Sequence, residues 1–174
     1  KMHNDKIIHR DLRAENILLD DKFYPKLTDF GLSVYDKDAN ETEEKIKPVG
    51  SAEYIAPEAW SKIDFSEASD VYAFSILLFK LMTLGEPFQN MRDSMIICQI
   101  CFRQKHPEIQ TQIPDCYREL IEECWDFDKD KRPKFDDIVE KLKNDKRFIE
   151  TDIDSTEYQE YIKFIDDSFK TGGK

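Results

Sequence analysis

The chain has 174 residues, of which 26 are basic and 37 acidic, giving a formal net charge of −11. Apolar residues make up 40% and charged residues 36%, the balance of an ordered globule long enough for one domain with a core. No basic run or stripe appears, which argues against a nucleic-acid partner, and no stretch is apolar enough to span a membrane: the longest candidate, 71–82, is short and carries Lys80.

In chain order, "NILLD" (16–20) reads as a short strand, "DKFYP" (21–25) as a turn closed by Pro25, and "KLTDF" (26–30) as a second strand. Together they predict a small β-hairpin. Residues 32–52 are rich in charged and small polar side chains, which predicts a mobile loop. Residues 68–82 are apolar nearly all round, with Val71, Ala73, Phe74, Ile76, Leu77, Leu78, Phe79 and Leu81. That pattern predicts a helix buried in the centre of the domain. A further helix is expected over 93–102.

Three later segments each carry one apolar stripe at helical spacing. They are Tyr117, Leu120, Ile121, Cys124 and Trp125; then Phe135, Ile138, Val139 and Leu142; then Tyr158, Tyr161, Ile162, Ile165 and Phe169. Thr156 and Gln159 read as a capping box for the last. The aromatic residues Phe74, Trp125 and Phe135 read as core packing, the last stripe as a face docked on the domain, and the terminal G-G-K as a frayed end. The fold class is mainly α with one small hairpin and no internal repeat. Cys98 and Cys101 form a C-x-x-C, but Cys116 and Cys124 do not form a second one, so buried thiols are expected rather than a metal site or disulfide. With no signal peptide in the text, a reducing cytoplasm is the expected location.

Near the start stands His9-Arg10-Asp11-Leu12, followed by Asn16, an H-R-D-L-x-x-x-N pattern. Asp29-Phe30-Gly31 follows, and then Ala56-Pro57-Glu58. Each of the short triplets alone means little; all of them in this order form the protein-kinase signature set. From about residue 2 to residue 142 the sequence resembles the C-terminal lobe of a eukaryotic protein kinase. Two later stretches, 69–88 and 124–142, look like the family's central helix and its closing Trp and Arg segment. Their wording is closest to the tyrosine-kinase-like group, whose members mostly phosphorylate Ser and Thr. The resemblance divides the chain into a kinase part, 1–143, and an acidic tail, 144–174, with an amphipathic helix. Within the first part lie a catalytic loop (9–16), the D-F-G triplet (29–31) and an activation segment (29–58).

The resemblance implies roles. Asp11 would accept or orient the proton of the substrate hydroxyl, and Asn16 and Asp29 would supply hard oxygen ligands to Mg2+ on ATP. Arg13 would place a cation near the transferring phosphate, or else be a solvated surface arginine. Arg at that position is found in some tyrosine kinases. Ser51 and Tyr54, in "GSAEYIAPE", instead match the Ser/Thr pattern, with the Ser51 hydroxyl expected to touch Asp11. These weigh more, so Ser/Thr is favoured. Glu58 and Arg132 match a buried ion pair, and Asp70 a residue that holds the catalytic-loop backbone. Arg10 matches an arginine that can pair with a phosphate on the activation segment, where Ser33, Tyr35, Thr42 and Ser51 offer hydroxyls. The bland alternative for Asp11, Asn16 and Asp29 is a relative that kept the fold and lost the chemistry; degenerate relatives usually lack one of the three, and all three are here.

The family's glycine-rich phosphate loop, its V-A-I-K lysine with partner glutamate, and its adenine-holding hinge do not occur in this text. The sequence therefore reads as a piece of a longer protein or a truncated gene product. Its N-lobe is expected from upstream sequence, and its partners are ATP and protein substrates. Alone, it is expected to be inactive. A non-catalytic interaction module that binds protein partners is the competing reading.

Overall fold

The elements in chain order are strands β1 (Ile7–Ile8), β2 (Ile17–Leu19), β3 (Pro25–Leu27) and β4 (Val34–Tyr35). They are followed by helices α1 (Pro57–Lys62), α2 (Glu67–Thr83), α3 (Asp93–Ile97), α4 (Asp115–Cys124), α5 (Phe135–Asn144) and α6 (Ser155–Thr171). The computed structural model describes residues 2–36, 50–149 and 154–171. Thr42, most of the expected mobile loop and the terminal G-G-K lie outside the described residues.

Helix α2 is the centre of the domain, as its all-round apolar sequence predicts. Its start is fixed at Ser66, whose N–H donates to the Ser69 hydroxyl at 3.1 Å. It ends where Leu84 turns left-handed (φ 51°) and its N–H reaches back to the Lys80 carbonyl at 2.9 Å, with Gly85 following. Val71, Tyr72, Ile76, Leu77 and Phe79 are buried along it, and they meet Leu120, Ile121 and Cys124 of α4 and Ile138 of α5. Each large aliphatic side chain taken fully out of water contributes about 1.5–3 kcal/mol. Burial also pushes the Cys124 thiol up to about 12, so it packs as an apolar group; all four cysteines are free thiols.

The hairpin forms, β2 pairing antiparallel with β3, but Pro25 opens the second strand instead of closing the turn, and that strand ends at Leu27, short of the expected 26–30. Several details differ from expectation. A second two-stranded sheet joins β1 to β4, with Ile7 opposite Tyr35 and Ile8 opposite Val34. Two-residue strands are too short for a period to show in the sequence, and β4 lies in the stretch expected to be loop. The helix expected over 93–102 is α-helical only to Ile97 and continues as a π-helix over Cys98–Phe102, where the Arg103 N–H reaches the Cys98 carbonyl at 3.1 Å. Thr156 does not cap α6; the Asp154 carboxylate does, accepting from the N–H groups of Thr156 (2.7 Å) and Glu157 (3.2 Å). Trp125 is core, whereas Phe74 and Phe135 are only partly buried. They meet edge to face at 5.4 Å and, with Leu12, Leu77 and Val139, wall an apolar cavity of 390 Å³.

His106 is sandwiched between the rings of Trp125 and Phe127, at 4.4 and 4.0 Å. Burial holds its imidazole down at about 4, against the pull of Asp126. The folded state therefore keeps His106 neutral while the unfolded chain protonates it near its ordinary value of about 6.5. Its contribution to stability is complete above pH 6.5 and is lost as pH falls toward 4. Urea midpoints across that range are expected to decline, and a His106→Phe variant should decline less; equal declines would remove the assignment.

Candidate active site

The segment that carries His9, Arg10 and Asp11 is held from beneath by Asp70, in the first turn of α2. The Asp70 carboxylate accepts the backbone N–H of His9 at 2.8 Å and that of Arg10 at 2.9 Å, and bonds the ring of His3 at 2.8 Å. Those bonds offset the strain at Arg10, a non-glycine residue held left-handed at φ 69°. His9 is fully buried beside Asp70. Its Nε2–H donates to the Thr28 carbonyl (3.1 Å), its Nδ1 accepts the Asp11 N–H (3.3 Å), and Phe30 meets its ring edge to face at 4.9 Å. One neutral tautomer satisfies both bonds.

Asp11 and Asn16 are joined directly. The Asn16 Nδ2 donates to the Asp11 carboxylate at 2.7 Å and to the Asp11 carbonyl at 2.8 Å. The other carboxylate oxygen of Asp11 faces Gly50, where an added Cβ would stand 3.3 Å away, and Gly50 has φ 116°. Both facts call for glycine there. The Asn16 carbonyl receives the Thr28 N–H (2.8 Å) and hydroxyl (3.0 Å), which brings Asp29 next to this cluster along the chain.

Asp29 is exposed and left-handed, at φ 58°. One of its oxygens accepts the Gly31 N–H at 3.3 Å, and a Cβ on Gly31 would crowd that oxygen at 3.1 Å. Among the described residues, the remaining Asp29 oxygen and the Asn16 Oδ1 accept no hydrogen bond, so two hard oxygen donors are left over. That donor set fits Mg2+, which keeps most of its ligands as water and phosphate. Among the described residues no group of three or more His, Cys, Asp or Glu side chains could hold a metal ion.

The remaining expected residues fall in three places. Glu58 and Arg132 form a buried two-pronged pair at 2.7 and 2.9 Å; the same guanidinium donates to the carbonyls of Ala68 (2.9 Å) and Asp126 (2.8 Å). Arg13 is bonded to Glu15 at 2.8 Å and lies 5.8 Å above the Tyr54 ring. That bond holds the Glu15 carboxyl down at about 2. The Arg10 guanidinium rests on the Phe65 ring at 4.4 Å with its Nε buried and unbonded among the described residues, and burial lowers its pKa against the attraction of Asp70. Ser51 makes no hydrogen bond to Asp11 among the described residues; Gly50, one residue earlier, makes the close approach instead. The Ser33 hydroxyl is engaged with the His9 carbonyl at 3.3 Å. An open cleft of 550 Å³ runs from Arg13, Gly50 and Ser51 past Glu53 and Glu86 to Asp93.

Sequence reading missed His3, Glu15, Thr28 and Gly50. Glu15 follows Arg13 by two, a spacing that carries no helical signal, and the other three act through contacts that only the folded chain creates.

The family profile described as protein tyrosine and serine/threonine kinase matches residues 1–142. This chain belongs to the protein kinase family. Among curated protein kinases, a probable serine/threonine-protein kinase, drkC, of Dictyostelium discoideum is 34% identical over 136 residues, covering 78% of this chain and 18% of that protein. The dual specificity protein kinase shkC of the same organism is 34% identical over 140 residues, covering 80% of this chain and 28% of its own length. The serine/threonine-protein kinase CTR1 of Arabidopsis thaliana is 34% identical over 140 residues, covering 80% of this chain and 17% of its own. The chain thus spans less than a third of each of these kinases.

Proposed function

We propose that this chain forms the lower half of a protein kinase active site, and that the complete protein transfers the γ-phosphoryl group of ATP to Ser or Thr hydroxyls of protein substrates. The bond between Asp11 and Asn16, on a loop fastened to α2 by Asp70, is the observation that carries the reading. Asp11 takes the proton of the substrate hydroxyl as its oxygen forms the new bond to phosphorus and the bond to the ADP oxygen breaks. Asn16 and Asp29 would hold Mg2+, which when bound neutralises charge on the phosphate oxygens. Arg13, at the mouth of the cleft, faces the same negative charge, and its bond to Glu15 keeps the guanidinium in place until substrate arrives. The cleft from Gly50 to Asp93 gives an extended polypeptide room beside Asp11. Glu58 and Arg132 tie the segment that ends at Glu58 to the helical core, Arg10 is available to a phosphate on that segment, and His9, Phe30 and Gly31 shape the loop around Asp29.

Relatives named as serine/threonine and dual specificity kinases support the preference for Ser and Thr. We assign the protein to the cytoplasm, supported by its four free thiols. The test is an assay of the complete protein with Mg-ATP on matched Ser, Thr and Tyr peptides. Phosphate on the Tyr peptide alone would overturn the substrate assignment.

Leu18 and Leu19, on the strand that leaves Asn16, are 58% and 61% exposed. Nucleotide affinity comes mostly from apolar enclosure and phosphate contacts, and among the described residues the surface at Leu18 and Leu19 is open instead. Mg-ATP titrated into the chain by itself is expected to leave its melting temperature unchanged. A clear rise would show a nucleotide site complete within these residues.

A further inference from the structure

We infer that Tyr24, gripped by helix α6, is a positioning residue for Asn16 and Asp29. The inference rests on the roles proposed above for those two residues. The hairpin leaves Asn16 as β2, returns as β3 and leads through Thr28 into Asp29. Its register pairs Ile17 with Leu27, Leu18 with Lys26 and Leu19 with Pro25, and the two Thr28 bonds to the Asn16 carbonyl close its root. A two-stranded ribbon of this length is marginal by itself, so its orientation depends on what holds its ends.

The catalytic loop holds the root. Helix α6 holds the tip. The Asp20 carboxylate fixes the turn by accepting the N–H groups of Lys22 and Tyr24, both at 2.9 Å. The Tyr24 ring then stacks on Phe164, with centroids 4.6 Å apart and planes at 30°, and meets Tyr161 at 5.1 Å. The Lys26 ammonium lies 5.5 Å from the same Phe164 ring. Helix α6 is itself tied to the end of α5: Lys143 bonds Asp166 at 2.5 Å, and the Tyr158 hydroxyl is 3.3 Å from the Leu142 carbonyl. A continuous path therefore runs from α5 through α6, Tyr24 and β3 to Thr28, and so to Asn16 and Asp29. Helix α6 lies beyond the residues that match the kinase profile.

The first measurement is amide hydrogen exchange on the 174-residue chain. Tyr24→Ala and Phe164→Ala should each speed exchange at Thr28 by about tenfold, with the α2 amides unchanged. Tyr24→Phe should keep the parent rate, because the ring makes the contact. Unchanged exchange at Thr28 in both alanine variants overturns the inference, and so does equal acceleration throughout α2, which would mark general destabilisation. Lys143→Ala, which loosens α6 without touching the hairpin, should reproduce the effect in smaller degree; no effect there counts against the path. In the complete protein, Tyr24→Ala and Phe164→Ala should lower kcat by about tenfold with the KM for peptide unchanged, the pattern of misplaced reacting groups. Parent kcat in these variants, beside an inactive Asp11→Asn control, overturns the positioning role alone. An active Asp11→Asn overturns the underlying reading of the site.

Discussion

Replacing Asp11 with Asn is expected to lower kcat for phosphoryl transfer in the complete protein by about 10²–10⁴, the usual contribution of a positioned acid or base. The replacement is nearly isosteric, so the reason is chemical rather than steric. The Asn amide oxygen can still accept from Asn16 Nδ2, now 2.7 Å from the carboxylate, and the narrow approach to Gly50 is kept. What is lost is a negative oxygen able to take the substrate proton. The melting temperature should therefore stay close to that of the parent while ADP production falls. Parent-level activity would take Asp11 out of the chemistry, and collapse of the fold would show that its charge is structural.

An Arg132→Leu variant is expected to lose about 3–5 kcal/mol of folding stability, the usual cost of stranding one member of a buried ion pair. The guanidinium serves both oxygens of Glu58 and the carbonyls of Ala68 and Asp126. Among the described residues, leucine leaves a buried carboxylate with only a long 3.4 Å bond from Ser69, and two carbonyls without this donor. Against a typical total of about 5–15 kcal/mol, that loss is about a fifth of the stability or more. The pair between Lys141 and Glu123 is exposed, and breaking it should cost about 0–1 kcal/mol. Urea titration measures both. The double variant Glu58→Leu with Arg132→Leu should recover much of the single-variant loss, because two apolar groups leave no charge unpaired. A loss below about 1 kcal/mol for Arg132→Leu alone would mean that the site admits water.

Much of this molecule was legible in its sequence because the relevant signals are local. The all-round apolar run announced α2, the stripes announced α4, α5 and α6, and the polar turn between two apolar runs announced the hairpin. Asp11, Asn16 and Asp29 were named from motif order; the structure joins Asp11 to Asn16 by a hydrogen bond, and Asp29 follows Thr28, which is bonded to the Asn16 carbonyl. What escaped has a common physical origin. The sheet of β1 and β4 joins residues far apart in sequence through strands too short to show a period. The bond from His3 to Asp70 spans 67 positions. The approach of Gly50 to Asp11 depends on backbone direction at one residue. Ser51 shows the limit from the other side: a position matched by pattern lies one residue from the contact expected of it.

The three bonds accepted by Asp70 also bear on how fast the site can move. A surface loop ordinarily rearranges in nanoseconds to microseconds. Here the amides of His9 and Arg10 end on a carboxylate that belongs to the most deeply enclosed helix, so they cannot be released without disturbing that helix's first turn. The loop that carries Asp11 is therefore expected to open about as rarely as the core itself. On the proposed kinase reading, any gating of substrate entry or ADP departure must come from segments fastened less tightly than this one.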